Sequence, residues 1–311
     1  MNQTDTIVNM RHFLFALLFT CFSAATHAQL LYRISGKGLQ RPSYIVGTYH
    51  LAPGTFADSI PGAYEALNQC EQVYGELNIA DMQQPDSVAR VQQAMLLPEG
   101  MTLSQLLTPD EMGRVKAYAE RQLGPAAAVL MTQAERMTPT TLSTTLEMLT
   151  YAMKSGQFNP NESLDLHFQQ YALLHGKTTG GLETVSFQTK TLYQGTPLPR
   201  QKQLLLCLAD NPEFNDMMAD RVIDCYFAQD IEGLKEAMDM KLDNDCDNTP
   251  DEEASLIDRR NANWVALMPG IMQAHPTFFV VGAAHLPGPS GVLQLLREAG
   301  YQVSGSPRGE R

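Results

Sequence analysis

Tyr44-Ile45-Val46-Gly47-Thr48-Tyr49-His50-Leu51-Ala52-Pro53-Gly54 and, near the other end of the chain, Phe279-Val280-Val281-Gly282-Ala283-Ala284-His285-Leu286-Pro287-Gly288 share one construction. In each, an apolar run meets a glycine, a histidine follows three residues later, and Leu, Pro and Gly come after it. The run Phe278 to Val281 is apolar without a break, which suits a strand covered on both faces. Glycine is read as the residue that lets the backbone turn sharply where the strand ends. Both histidines are then expected at the carboxyl edge of a sheet, where open α/β sheets bind ligands.

Outward from these stretches, Leu31 to Thr48 reads as a hairpin about the turn Ser35-Gly36-Lys37-Gly38. Pro61 opens a helix to about Gln69, and Gln72-Val73-Tyr74-Gly75-Glu76-Leu77 is the next strand. Residues from about 81 to 175 show helical periodicity, with helix starts such as Thr108-Pro109-Asp110-Glu111. Met131, Met137, Met148 and Met153 in this region suit helix packing first, and a flexible apolar groove second. Lys177 to Glu183 returns to strand and turn character. Helices resume at about 184–205 and 211–241, and Thr249-Pro250-Asp251-Glu252-Glu253 starts another that reaches about Leu267. Pro289-Ser290 leads into an amphipathic helix, and Tyr301-Gln302-Val303 is a last strand. The predicted fold class is α/β: a central mixed sheet built from both ends of the chain, with a large helical insertion at about 81–175.

With 22 Lys and Arg against 34 Asp and Glu, the net charge of −12 opposes phosphate backbones and anionic lipid, so no nucleic-acid partner is expected. The apolar share of 44% supplies a substantial core. Arg11, the run Phe13 to Phe19 and the small residues before Thr26-His27-Ala28 read as a signal peptide over 1–28, cleaved after Ala28. Cys21 only loosely resembles a lipoprotein site. No later stretch is apolar enough to span a bilayer, so 29–311 is expected to be one exported domain, periplasmic or secreted. Cys70, Cys207, Cys225 and Cys246 permit two disulfides in three connectivities, or simple burial.

Two imidazoles from distant strand ends would make a good start for a divalent-metal site, which also wants a carboxylate. Glu76, just after Gly75 at a strand end, is the first candidate, and Glu183, after Gly180-Gly181-Leu182, the second. Glu183 alone is equally readable as a solvated strand tip or a helix N-terminal charge, and Glu76 less so. His167, His175 and His275 have no matching neighbour and read as surface or packing residues.

The cluster, taken with Gly47-Thr48-Tyr49-His50, Gly75-Glu76-Leu77, Gly181-Leu182-Glu183-Thr184, Arg260-Asn261 and Gly282-Ala283-Ala284-His285-Leu286, resembles the TraB/GumN family, which includes the pheromone-shutdown proteins and the Tiki proteases. The resemblance implies a compact α/β fold and, through the Tiki members, metal-dependent peptide hydrolysis supported by manganese or cobalt. It carries the two histidine motifs onto His50 and His285, and the family's glutamates onto Glu76 and Glu183. Its Arg-Asn pair falls on Arg260 and Asn261, which would clamp a substrate carboxylate or carbonyl, or tie their helix to the sheet. Trp264, one helical turn on, reads as core.

The function expected is an exported hydrolase acting on peptides. Its divalent metal (manganese, cobalt or zinc) would be held by His50, His285 and one or both of Glu76 and Glu183, the other glutamate serving as general base. The alternatives are a non-catalytic protein that sequesters a secreted peptide or metal-containing ligand, and a metal-free ester hydrolase. There is no HExxH helix, GxSxG elbow or phosphate-binding glycine loop, so the commoner hydrolase and nucleotide readings lack their signatures.

Overall fold

The computed structural model describes residues 29–155, 159 and 162–305; the expected signal segment lies outside them. Six strands form one mixed sheet: β1 (Leu31–Ser35), β2 (Ser43–Thr48), β3 (Gln72–Gly75), β4 (Thr178–Gly181), β5 (Thr277–Gly282) and β6 (Gln302–Gly305). Their spatial order is β4-β3-β5-β2-β1-β6, so the sheet draws on both ends of the chain. The β1–β2 hairpin turns through Gly36, Lys37 and Gly38, all at positive φ. β1 also pairs antiparallel with β6, whereas β2, β5, β3 and β4 run parallel.

Every residue of β2 and β5 is buried. Phe278, Phe279, Ile45 and Val46 pack with Phe168 of the helix Leu164–Leu174, and with Trp264 and Met268 of the helix Arg259–Ala274. At this degree of burial one large apolar side chain stabilises the fold by about 1.5–3 kcal/mol. The helix expected to stop near Leu267 runs on to Ala274 despite Pro269. A proline removes one hydrogen bond, but Met268 and Met272 keep the helix seated on the core.

A second core lies wholly among helices. It joins Val115, Ala119 and Leu123 of the helix Pro109–Leu123 to Leu142 and Leu146 of Pro139–Ser155 and to Leu205 and Leu208 of Leu198–Asp210. The helical lobe thus takes in a helix beyond residue 175, while Leu164–Leu174 belongs to the sheet's cover. Met131 and Met137 pack against the lobe's core, and Met153 is exposed. The expected capping boxes form at Thr108/Glu111 and Thr249/Glu252, each satisfying backbone N–H groups that would otherwise lack a partner.

Only one disulfide forms among the described residues, Cys207–Cys246. It ties the loop after Met238 back to the helix Leu198–Asp210. The two-disulfide arrangement is not realised, because Cys70 is buried at the end of the helix Ala63–Gln69 in the sheet core. Cys225 instead packs beside Gly233, where its sulfur lies 3.0 Å from the place a Cβ would take. Burial pushes the Cys70 thiol up to about 12, which makes it inert.

Candidate functional site

Parallel pairing fixes where the strands end. Thr48 of β2 stands opposite Gly282 of β5, Val280 of β5 opposite Gly75 of β3, and Gly75 opposite Gly181 of β4. The four chains leave the sheet along one carboxyl edge, and Glu183, Glu76, His285 and His50 follow them in that spatial order. Beyond β4, Glu183 still tracks its neighbour, its N–H donating to the Glu76 carbonyl.

The two motif glycines act differently from the turn expected of them. Neither has positive φ, so neither adopts a conformation that only glycine favours. Both are close-approach positions. A Cβ on Gly47 would meet Leu286 Cδ1 at 2.7 Å. One on Gly282 would lie 3.2 Å from Glu76 Oε1, 3.5 Å from the His285 ring and 3.8 Å from His50 Nε2. Three of the sequence-predicted groups therefore face a single small space that a side chain would fill.

His285 sits in a short 3-10 turn, Ala283–His285, and is buried. Its Nδ1–H donates to Asn261 Oδ1 at 2.7 Å, while Asn261 Nδ2 donates to the carbonyls of Ser290 and His285. This fixes the tautomer and leaves Nε2 as an acceptor, which Arg260 meets at 3.1 Å. Burial lowers the ring to about 4, so it is neutral at physiological pH. Trp264 packs against the same ring at 4.4 Å.

His50 is open to solvent. Its Nδ1–H donates to Asp165 Oδ2 at 3.0 Å, and Thr48 Oγ1 donates to Asp165 Oδ1 at 2.6 Å. The Asp165 carboxylate raises His50 to about 9 against the opposing effect of burial. Asp165, on the helix Leu164–Leu174, was not among the residues expected from sequence. It lies far along the chain in a first helical turn, where an acid reads simply as a favourable N-terminal charge.

The two glutamates differ. Glu76 Oε1 accepts the Gly282 N–H at 2.9 Å, and its Oε2 accepts Arg260 at 2.6 Å and Gln188 at 3.0 Å. Burial raises Glu76, but His50, His285, Arg260 and the Gly282 N–H together hold it below the ordinary carboxylate range. Glu183 is saturated: Arg260 meets both of its oxygens, Gln188 donates to Oε1 and Trp264 Nε1 to Oε2. Arg260 and Asn261 are themselves buried and committed to these partners, so they tie the helix Arg259–Ala274 to the sheet edge. A π-helical turn, Ala254–Asp258, immediately precedes that helix; such turns recur beside functional sites.

Among the described residues, no group of three or more His, Cys, Asp or Glu side chains stands ready to hold a metal ion. The donor chemistry nevertheless suits one. His285 Nε2 and Glu76 Oε1 lie 3.9 Å apart, an imidazole nitrogen and a carboxylate oxygen of the kinds that divalent ions take as ligands. Both imidazoles have Nδ1 tied to an oxygen, the arrangement that orients metal-bound histidines. Closing the set requires movement of His50, which solvent exposure allows, and displacement of Arg260 from His285 Nε2.

His167 hydrogen-bonds Tyr64, His175 stacks on Tyr171 and His275 pairs with Glu71, all away from this edge.

The chain belongs to the TraB/PrgY/gumN family, whose model matches residues 30–305. It is 25% identical over 311 residues to the zebrafish (Danio rerio) protein named Metalloprotease TIKI1, covering 86% of this chain and 62% of that one. It is 26% identical over 308 residues to zebrafish Metalloprotease TIKI2, covering 86% and 58%, and 25% identical to human Metalloprotease TIKI1, covering 86% and 60%. The chain thus spans about three-fifths of the length of these curated relatives. No solved structure matches it. Among the described residues, no helix is long and apolar enough to cross a membrane.

Proposed function

We propose that this protein is an exported metal-dependent hydrolase of peptides whose working centre is the His50–Glu76–His285 edge. The observation that carries the reading is the convergence of those three side chains on the space kept open by Gly282. The printed names of its relatives support the class of chemistry. His50 Nε2, His285 Nε2 and Glu76 would hold the ion. A divalent ion bound there would supply an acidified water and polarise a carbonyl.

The chain's own residues divide the remaining work. Asn261 holds His285 in the tautomer whose Nε2 carries the lone pair, and Asp165 holds the His50 ring through its Nδ1. A proton at His50 Nε2 must leave before that nitrogen can act as a ligand, so ion binding is coupled to proton release. Glu183, with both oxygens occupied, positions Arg260 and is a poor general base. Glu76 Oε1, with the Gly282 N–H as its one hydrogen-bond donor, is the freer carboxylate oxygen and the better ligand.

The test is cleavage of an unstructured peptide library by purified protein with manganese, cobalt or zinc, and its loss in H50A/H285A. Equal turnover by that variant refutes the reading. Arg260 favours a second one: by occupying His285 Nε2 it satisfies the cluster without an ion, which suits stoichiometric capture of a secreted peptide without turnover. Recovery of unaltered ligand at one equivalent, with no turnover, would establish it.

A further inference from the structure

A cavity of about 620 Å³ adjoins the cluster, walled by the loop that follows His285, by the helix Pro139–Ser155 and by the loop that Cys246 anchors. Ala284, next to His285 in the chain, and Gly288 form one side. Phe214, Met218 and Met238 give the opposite side an apolar, deformable surface. Charge in the cavity is unbalanced. Its two lysines are already committed, Lys235 to Asp239 and Lys241 to Glu253. Glu147 also faces the cavity and has no hydrogen-bond or ion-pair partner among the described residues.

Glu147 is placed for this role by its helix. One turn on, the Tyr151 ring packs edge-on against Tyr49 at 5.5 Å, beside His50. The carboxylate therefore belongs to the same wall as the cluster but takes no part in it. We propose that this cavity is a subsite selective for a cationic, partly apolar segment of the ligand: an aliphatic side chain lodges against Phe214, Met218 and Met238, and an adjacent ammonium or guanidinium pairs with Glu147. The inference rests on the hydrolase reading above and names the substrate class it takes. Glu147 is exposed on the cavity wall, so a positive group can reach its carboxylate without displacing any protein partner.

The test is fluorescence anisotropy with a labelled, end-blocked peptide, Ala-Leu-Lys-Leu-Ala, against the same peptide with citrulline for lysine. Chelator is present and mass spectrometry checks that both remain intact. Wild type should bind the lysine peptide at least about threefold more tightly, and E147Q should reduce the preference to about one while keeping the wild-type melting temperature. A lysine-free peptide with a free amino terminus separates the sources of the cation: its tighter binding, lost in E147Q, assigns the site to a terminal ammonium. Equal binding of charged and neutral peptides by wild type, or a folded E147Q that keeps the preference, overturns the proposal. An intact, Glu147-dependent preference with no cleavage under any metal would refute the hydrolase reading and leave the subsite standing.

Discussion

Removing the cation that bridges Glu76 and Glu183 is the sharpest perturbation the structure offers. Arg260, Glu76 and Glu183 have side chains only 5%, 8% and 4% exposed, and Arg260 meets Glu76 Oε2 at 2.6 Å and both oxygens of Glu183. Arg260→Met keeps most of the volume and leaves two buried carboxylates with His50 as the remaining counter-charge. Breaking such an arrangement costs about 3–5 kcal/mol. At about 2–4 °C per kcal/mol for a chain of this size, the melting temperature should fall by about 6–20 °C at pH 7.

The pH dependence carries the sign. In wild type Glu76 is held below its ordinary value, so its contribution is present above the unfolded carboxylate range and fades as pH falls through the folded value. In R260M the buried carboxylates move up instead, so the variant's deficit is greatest at neutral pH and shrinks towards pH 4–5. Urea denaturation at pH 7 and at pH 5 reads both quantities, and R260M/E183Q should recover part of the loss. A deficit below about 1 kcal/mol at pH 7, or one that does not depend on pH, would refute the view that Arg260 neutralises this edge.

Asp165→Asn should return His50 from about 9 towards its ordinary 6.5, since the Asp165 charge is the chief cause of the shift. The ion pair's stability is complete below pH 6.5 and lost as pH rises through about 9, so the variant's deficit should vanish at alkaline pH. Histidine NMR titration checks the first statement, and an unchanged His50 would contradict it. Reducing Cys207–Cys246, which closes a loop with a sequence separation of 39, should lower stability by up to about 4 kcal/mol in the chain-entropy account. Urea unfolding with and without dithiothreitol measures this, and C207S/C246S should behave like the reduced protein.

Much of this architecture could be read from the residues. Each of the four parallel strands carries its own local signature, an extended run closing on glycine, so His50, Glu76, Glu183 and His285 could each be placed at a strand end. Register then does the rest, because parallel neighbours finish together. Asp165 was illegible for the opposite reason. Nothing near it in sequence marks it, and only the packing of the helix Leu164–Leu174 over the sheet carries it to His50. The roles of the two glutamates were equally hidden, since the difference between them is how many donors surround each carboxylate. Gly47 and Gly282 were found for a reason the structure replaces: what matters is the absence of a side chain, not freedom of φ.

Between β2 and β3, which occur early in the chain, lies β5, which occurs near its end. A nascent polypeptide therefore holds β2 and β3 long before the strand that joins them exists. Until β5 docks, β2 and β3 have no shared neighbour and His50 and Glu76 are not brought together. The cluster of His50, Glu76 and His285 is thus the last part of the sheet edge that the growing chain can complete.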